Sequence, residues 1–171
     1  AFDSLREAFG YTNHMAVPKI EKVVVSRGTG RRWRMDRYYN DLVTDRLAQI
    51  TGQKPAIRQA RKSIAGFKIR QGDPIGQMVT LRGARMYNFL DKLIHVALPR
   101  TKDFRGLERT SVDEMGNMTI GIKEHSIFPE TANEELKNVF GISISIVTTA
   151  STRDEAIALL EHVGIPFKKS S

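Results

Sequence analysis

The sequence contains no cysteine, which excludes disulfide scaffolds, thiolate metal sites and thiol nucleophiles together. It lacks any run of apolar residues long enough to span a bilayer, and its opening AFDSLREAFG has neither the basic start nor the apolar stretch of a secretory signal. The expectation is a soluble, unexported chain with no membrane partner. Histidine is scarce: His14, His95, His125 and His162 stand in unrelated contexts, none with a second histidine three or four residues away, so no metal site is expected. His95 sits in an amphipathic pattern and is read as a packing residue. No G-x-S-x-G or comparable nucleophile motif occurs. The carboxylate pairs Asp113/Glu114, Glu134/Glu135 and Asp154/Glu155 are adjacent in sequence, which on a helix points them in different directions. The chain is therefore read as no enzyme, with no cofactor.

What is present is charge of one sign, unevenly spread. The 171 residues are 40% hydrophobic, enough for one core, and carry a net charge of +8. Residues 1–102 hold 20 Lys and Arg against 8 Asp and Glu, whereas residues 103–171 hold 7 against 11. The first part is thus built for polyanions, nucleic acid or an anionic membrane surface. From Lys54 to Arg70 there are six cations (Lys54, Arg58, Arg61, Lys62, Lys68 and Arg70) and no carboxylate in 17 residues. A merely solvated face would mix in acids, while this self-repelling run is relieved by phosphates.

Hydrophobic periodicity outlines the elements. Phe2, Leu5 and Phe9 suggest an opening helix stopped by Gly10. KIEKVVVS at residues 19–26 reads as a strand entering a turn at Gly28 and Gly30. From Met35 to Ile50 the apolar positions keep a 3.6 period, ended by Gly52 and Pro55. Residues 55–76 read as a basic hairpin or long loop with a strand-like FKIR at residues 67–70, in which Phe67 is assigned to the core in preference to base stacking. MVTLR at residues 78–82 resumes a strand, and a helix running from Met86 to Leu98 stops at Pro99. Strands follow at residues 118–123 and 142–149. Thr131 with Glu134 and Thr152 with Glu155 are capping boxes of two short helices, the second closed by Gly164. Intermixed strands and helices without regular alternation give an α+β class: two layers, a mainly antiparallel curved sheet with helices packed on one face. Residues 1–171 are read as a single domain with a basic projecting hairpin at about 55–76.

The turn at Gly28 and Gly30 lacks the third glycine of a dinucleotide fingerprint, since Trp33 stands in its place. With Arg27, Arg31, Arg32, Arg34 and Arg37 crowded around it, the turn is read as exposed backbone N–H groups facing an RNA phosphate, or else as a solvated basic turn.

The run TGQKPAIRQARKSIAGFKIRQGDPIGQMVTLRG at residues 51–83 resembles the signature region of the large-subunit ribosomal protein family numbered five, which binds 5S rRNA. The likeness continues through MAVPKIEKVVV (15–25), DFRGL (103–107), GIKE (121–124), IFPE (127–130) and IPFKK (165–169). The resemblance implies a structural constituent of the large ribosomal subunit, located in the cytoplasm on the ribosome. Its partners would be 5S rRNA in the central protuberance, large-subunit rRNA, peptidyl-site tRNA, and a basic small-subunit protein bridged by the acidic-leaning residues 103–140. The rRNA contacts implied are Ser26, Arg27, Gly28, Gly30, Arg31, Arg32, Gln53, Lys54, Thr80 and Arg82. Those to tRNA are Arg58, Arg61, Lys62, Lys68, Arg70 and Gln71. Two departures stand out: Ser26 where the family usually has asparagine, and Asp73 where it often has an aromatic or apolar residue. Readings from other classes are an RNA-modifying enzyme and a general basic nucleic-acid binder without one cognate RNA.

Overall fold

A computed structural model describes residues 5, 9–30, 36–102, 104–133 and 138–168, with the side chain of Arg37 also outside the description. Five strands form one open antiparallel sheet: β1 (Ile20–Gly28), β2 (Ala56–Gln59), β3 (Pro74–Leu81), β4 (Met118–Ile122) and β5 (Ile142–Thr148), in the order β2-β3-β1-β5-β4. Three helices accompany it: α1 (Arg37–Thr51), α2 (Gly83–Lys92) and α3 (Arg153–Val163). The α+β class stands. Alternation along β5 buries Ile142, Ile144, Ile146 and Thr148 while Ser143, Ser145 and Val147 stay partly exposed, and β4 alternates likewise. One face of the sheet is thus core and the other is open.

The chain divides into two compact units. In the first (Ala1–Val23, Arg82–Ile120 and Ile144–Ser171), α2 buries Met86, Phe89 and Leu90. Its expected stop at Pro99 is corrected. Proline has no N–H to continue the ladder and its ring crowds the carbonyl four residues back. The helix therefore widens into a π turn over Leu93–Ala97 and closes in a 3-10 turn, Leu98–Arg100, that takes Pro99 in its first positions. His95 is exposed rather than packed, its Nε2 lying 3.4 Å from the Asp91 carboxylate one turn earlier. Of the opening helix, Leu5 is helical and buried and Gly10 has a positive φ of 70°, with most of the rest outside the described residues.

Helix α3 starts as its sequence dictates. The Thr152 hydroxyl accepts the Glu155 N–H at 3.3 Å, and the Glu155 carboxylate accepts the Ser151 N–H at 2.9 Å. Gly164, at φ 101°, ends it. Burial opposes ionisation of Glu155, but the nearby Tyr11 hydroxyl and the N–H groups of Ser151 and Thr152 outweigh it and hold the carboxyl below its ordinary range. A depressed carboxyl stabilises the fold above its unfolded pKa, and that contribution is lost as pH falls through the folded value. Glu155→Gln is accordingly expected to cost about 1 kcal/mol at neutral pH and to narrow the gap to wild type in acid. Urea titrations at pH 7 and pH 3 check this, and a gap as wide at pH 3 would sink it.

The second unit (Val24–Leu81 and Gly121–Ser143) holds α1, whose Tyr39, Leu42, Val43, Leu47 and Ile50 are buried. Gly52, left-handed at φ 68°, caps it through its N–H to the Ala48 carbonyl at 2.8 Å. Buried Gln77 of β3 ties strand to helix, donating to the Asn40 carbonyl at 2.7 Å while its own oxygen accepts from the Thr44 hydroxyl at 3.0 Å. His125, read from sequence only as one of four histidines in unrelated contexts, is fully buried here with its ring stacked on Phe140 at 4.0 Å. The capping box expected at Thr131 has its Glu134 outside the described residues. The Thr131 hydroxyl donates to the His125 carbonyl at 2.9 Å.

Candidate nucleic-acid interface

The basic segment belongs to the second unit and is a true hairpin. Strand β2 pairs antiparallel with β3, Ala56 opposite Met78, Ile57 opposite Gln77 and Arg58 opposite Gly76, with an irregularity between Arg58 and Gln59. Directly opposed residues share a face, so Arg58, Met78 and Thr80 stand together on the open side, and the Arg58 guanidinium lies 3.8 Å from the Met78 sulfur. On β1, Ser26 alternates with buried Val25 and so faces the same side. Gln53, just past the α1 cap, donates to the Thr80 carbonyl at 3.3 Å. Two residues distant in sequence are thereby brought together, leaving the Thr80 hydroxyl on the open face and exposed Lys54 beside Gln53 in the chain.

Arg27 points the other way. It lies on the helix side of β1, donates to the Tyr39 hydroxyl at 3.3 Å and sits 5.8 Å from the Phe140 ring centre. The expectation of free N–H groups at the glycine turn is corrected: the N–H groups of Thr29 and Gly30 both donate to the Ile75 carbonyl, at 2.8 and 3.0 Å. The turn is sealed onto β3 because Gly30 has no side chain, and a Cβ there would stand 3.3 Å from that of Ile75. Gly28 is exposed, with nothing within 4 Å of where a Cβ would be. Arg31, Arg32 and Arg34 lie outside the described residues. Arg82, in the first unit, pairs with Glu21 at 3.2 Å, and the Arg82 hydrogen bond and the Lys22 charge hold the Glu21 carboxyl below its usual range.

Between the strands, residues 60–73 form a closed tip, and the strand expected at FKIR is corrected. Ala65–Phe67 is a 3-10 turn and Lys68 follows in the left-handed region at φ 53°, which breaks any extended run. Ile64 and Ile69 exchange both backbone hydrogen bonds, at 2.9 and 3.1 Å. Asp73 braces the base of the tip, its carboxylate accepting the Arg70 N–H and its carbonyl accepting the Ala60 N–H, both at 2.8 Å. Gln71 donates its N–H to the Ser63 hydroxyl at 3.0 Å. Lys54, Arg58, Arg61, Lys62, Lys68 and Arg70 are all exposed, and none pairs with a carboxylate among the described residues. Elsewhere some cations are paired, Arg46 with Asp45, Arg109 with Glu161 and Lys168 with Glu108, while others, such as Arg85, Arg100 and Lys123, are exposed like those of the hairpin. No group of His, Asp and Glu among the described residues could hold a metal ion, and no described helix is long and apolar enough to cross a membrane.

A family model described as ribosomal protein L5 matches residues 13–70, and one described as the ribosomal L5P family C-terminus matches residues 74–167. The chain is similar to curated proteins named large ribosomal subunit protein uL5. That of Rubrobacter xylanophilus is 52% identical over 165 residues, 96% of this chain and 91% of the relative. Those of Geobacter sulfurreducens (50% over 166 residues) and Gloeothece citriformis (51% over 165) are covered to 92% and 91% of their lengths.

Proposed function

We propose that this chain, which belongs to the ribosomal protein L5 family, anchors 5S rRNA in the central protuberance of the large subunit and touches tRNA with its basic hairpin. Membership makes it a structural component of the large ribosomal subunit, working with rRNA in the ribosome, and no enzyme. The finer reading rests on one observation above the others: Lys54 and the five cations of the hairpin are exposed and have no carboxylate partner among the described residues, so their charge is available to phosphates.

The 5S rRNA surface is the open side of the second unit's strands. Ser26, Gln53 and Thr80 there supply hydroxyl and amide groups able to distinguish a 2′-hydroxyl or a base edge, while Lys54 supplies charge. Gly28 allows close approach of a nucleic-acid backbone. Gly30, Arg31, Arg32 and Arg82 extend the rRNA contact, and Arg27 supports it from the opposite side of β1 by fixing the strand against Tyr39. Arg58, Arg61, Lys62, Lys68, Arg70 and Gln71 meet the peptidyl-site tRNA. Residues 103–140, which lean acidic, meet a basic small-subunit protein, steered by opposite charge.

Binding of the purified chain to 5S rRNA, compared with an equally long unrelated structured RNA across several salt concentrations, tests this. The expected preference is at least about tenfold, on the order of 1.4 kcal/mol. Equal affinities with equal salt slopes would mean a general basic binder. For tRNA, Arg61→Ala and Lys68→Ala are each expected to reduce the salt slope by about 0.7 to 0.9. Unchanged slopes would remove the hairpin from the RNA surface.

A further inference from the structure

Of the six methionines in this chain, one stands against a cation of the candidate interface. Met78 lies half-buried on the open face of β3, and exposed Ala56 is directly opposite it on β2. The Arg58 guanidinium donates toward its sulfur at 3.8 Å. That is a poor use of a strong donor, because a thioether accepts only weakly. Among the described residues Arg58 has no carboxylate partner, so this sulfur is the acceptor its side chain has. The other methionines differ. Met86 and Met118 are buried in the core, and Met35 lies outside the described residues. Met15 and Met115 are widely exposed, but no hydrogen bond among the described residues reaches the sulfur of either.

We infer that Met78 is an oxidation site, and that its sulfoxide withdraws Arg58 from phosphate. The inference rests on the reading of the hairpin as an RNA surface and names a modification that weakens that surface. The oxidant is hydrogen peroxide. Its O–O bond breaks, one oxygen bonds to the sulfur through a sulfur lone pair, and the other leaves as water with both protons. The thioether loses two electrons and the peroxide gains them. The product carries a strongly polar S=O group where a weak acceptor stood, at a place to which a guanidinium already points. Arg58 then donates to the sulfoxide oxygen in a charge-assisted hydrogen bond, which takes the same N–H groups a phosphate would take. Because Met78 is half-buried and its opposed neighbour is as small as alanine, peroxide reaches the sulfur while the open face is free of RNA.

In the test the full chain is treated with hydrogen peroxide, oxidation of each methionine is read by peptide mass spectrometry, and tRNA binding is titrated at several salt concentrations. Oxidised wild type is expected to bind more weakly, with a salt slope lower by about 0.7 to 0.9, the loss of one phosphate contact. Arg58→Ala should show that lower slope before treatment and no further change after it. Met78→Leu, compared with its own untreated form, should keep its slope although Met15 and Met115 are oxidised. A chain carrying Met15→Leu and Met115→Leu should remain sensitive. Incubation with the two methionine sulfoxide reductases, one for each epimer, should restore the oxidised wild type. If oxidised Met78 leaves the slope as it was while Arg58→Ala lowers it, the inference is overturned and the RNA reading stands. If Met78→Leu loses as much on treatment as wild type, the damage lies at another residue and the inference is again overturned. If neither oxidation nor Arg58→Ala changes binding, both readings fall. A Met78 that stays reduced when Met15 and Met115 are fully oxidised overturns the inference by itself.

Discussion

Alanine at position 106 is expected to lower the thermal midpoint by about 6 to 12 °C, corresponding to about 3 kcal/mol for a chain of this size. Gly106 has φ 95°, a conformation that costs an L residue about 1 to 2 kcal/mol. A Cβ there would stand 2.8 Å from the Lys168 nitrogen and 2.9 Å from the Phe167 carbonyl carbon, backbone atoms that cannot rotate away. The closeness has a structural reason: the Leu107 N–H donates to the Pro166 carbonyl at 2.8 Å and the Lys168 N–H returns to Leu107 at 2.9 Å, clipping the end of the described chain onto the segment after α2. Gly52→Ala is the control. Its φ is also positive, at 68°, but nothing lies within 4 Å of the added methyl, so only the conformational cost of about 1 kcal/mol remains. Equal losses in the two variants would show that crowding against residues 167 and 168 contributes nothing.

His125→Ala is expected to cost a similar amount, about 3 kcal/mol, by a different route. The imidazole is wholly buried and lies flat on Phe140, 16° from parallel. Its Nδ1 accepts the Phe140 N–H at 3.2 Å, while the backbone of His125 donates to the Phe140 carbonyl at 3.0 Å. Removing the ring opens a cavity beside Phe140 and strips the Phe140 N–H of that acceptor. Phe at the same position refills most of the cavity without restoring the hydrogen bond, so it should recover part of the loss. Chemical denaturation of the three proteins separates the two contributions. A His125→Ala variant within about 0.5 kcal/mol of wild type, the range of ordinary surface substitutions, would rule out a structural role for the ring.

The contrast between these residues shows what a linear reading reaches. Gly52, Gly164 and the Thr152/Glu155 pair act through neighbours one helical turn away, so their roles are written in local spacing and the structure bears them out. The β5 alternation, read as one wet face, is there as well. His125 reads as an isolated polar residue because the partner that makes it a core residue is 15 positions on. The N–H groups of the glycine turn read as free because the carbonyl that takes them, Ile75, is far along the chain on another strand. FKIR has the composition of a strand, but a left-handed Lys68 and the pairing of Ile64 with Ile69 override it, turning Phe67 outward. Of the candidate interface, the cations were legible and a hairpin was one of two readings beside a long loop, but its first strand, Ala56–Gln59, and that strand's pairing with β3 were not. The meeting of Gln53 with Thr80 and the opposite facing of Ser26 and Arg27 depend on strand register and pleat.

Strand β2 stands at the edge of the sheet with all four of its residues exposed. An exposed edge invites a second copy of the chain to add a strand of its own. Arg58 occupies the middle of β2, with Lys54 before it and Arg61 after it, so two such edges laid antiparallel would press like charges together. The cations proposed to attract a polyanion therefore also set this edge against pairing with a second copy of itself.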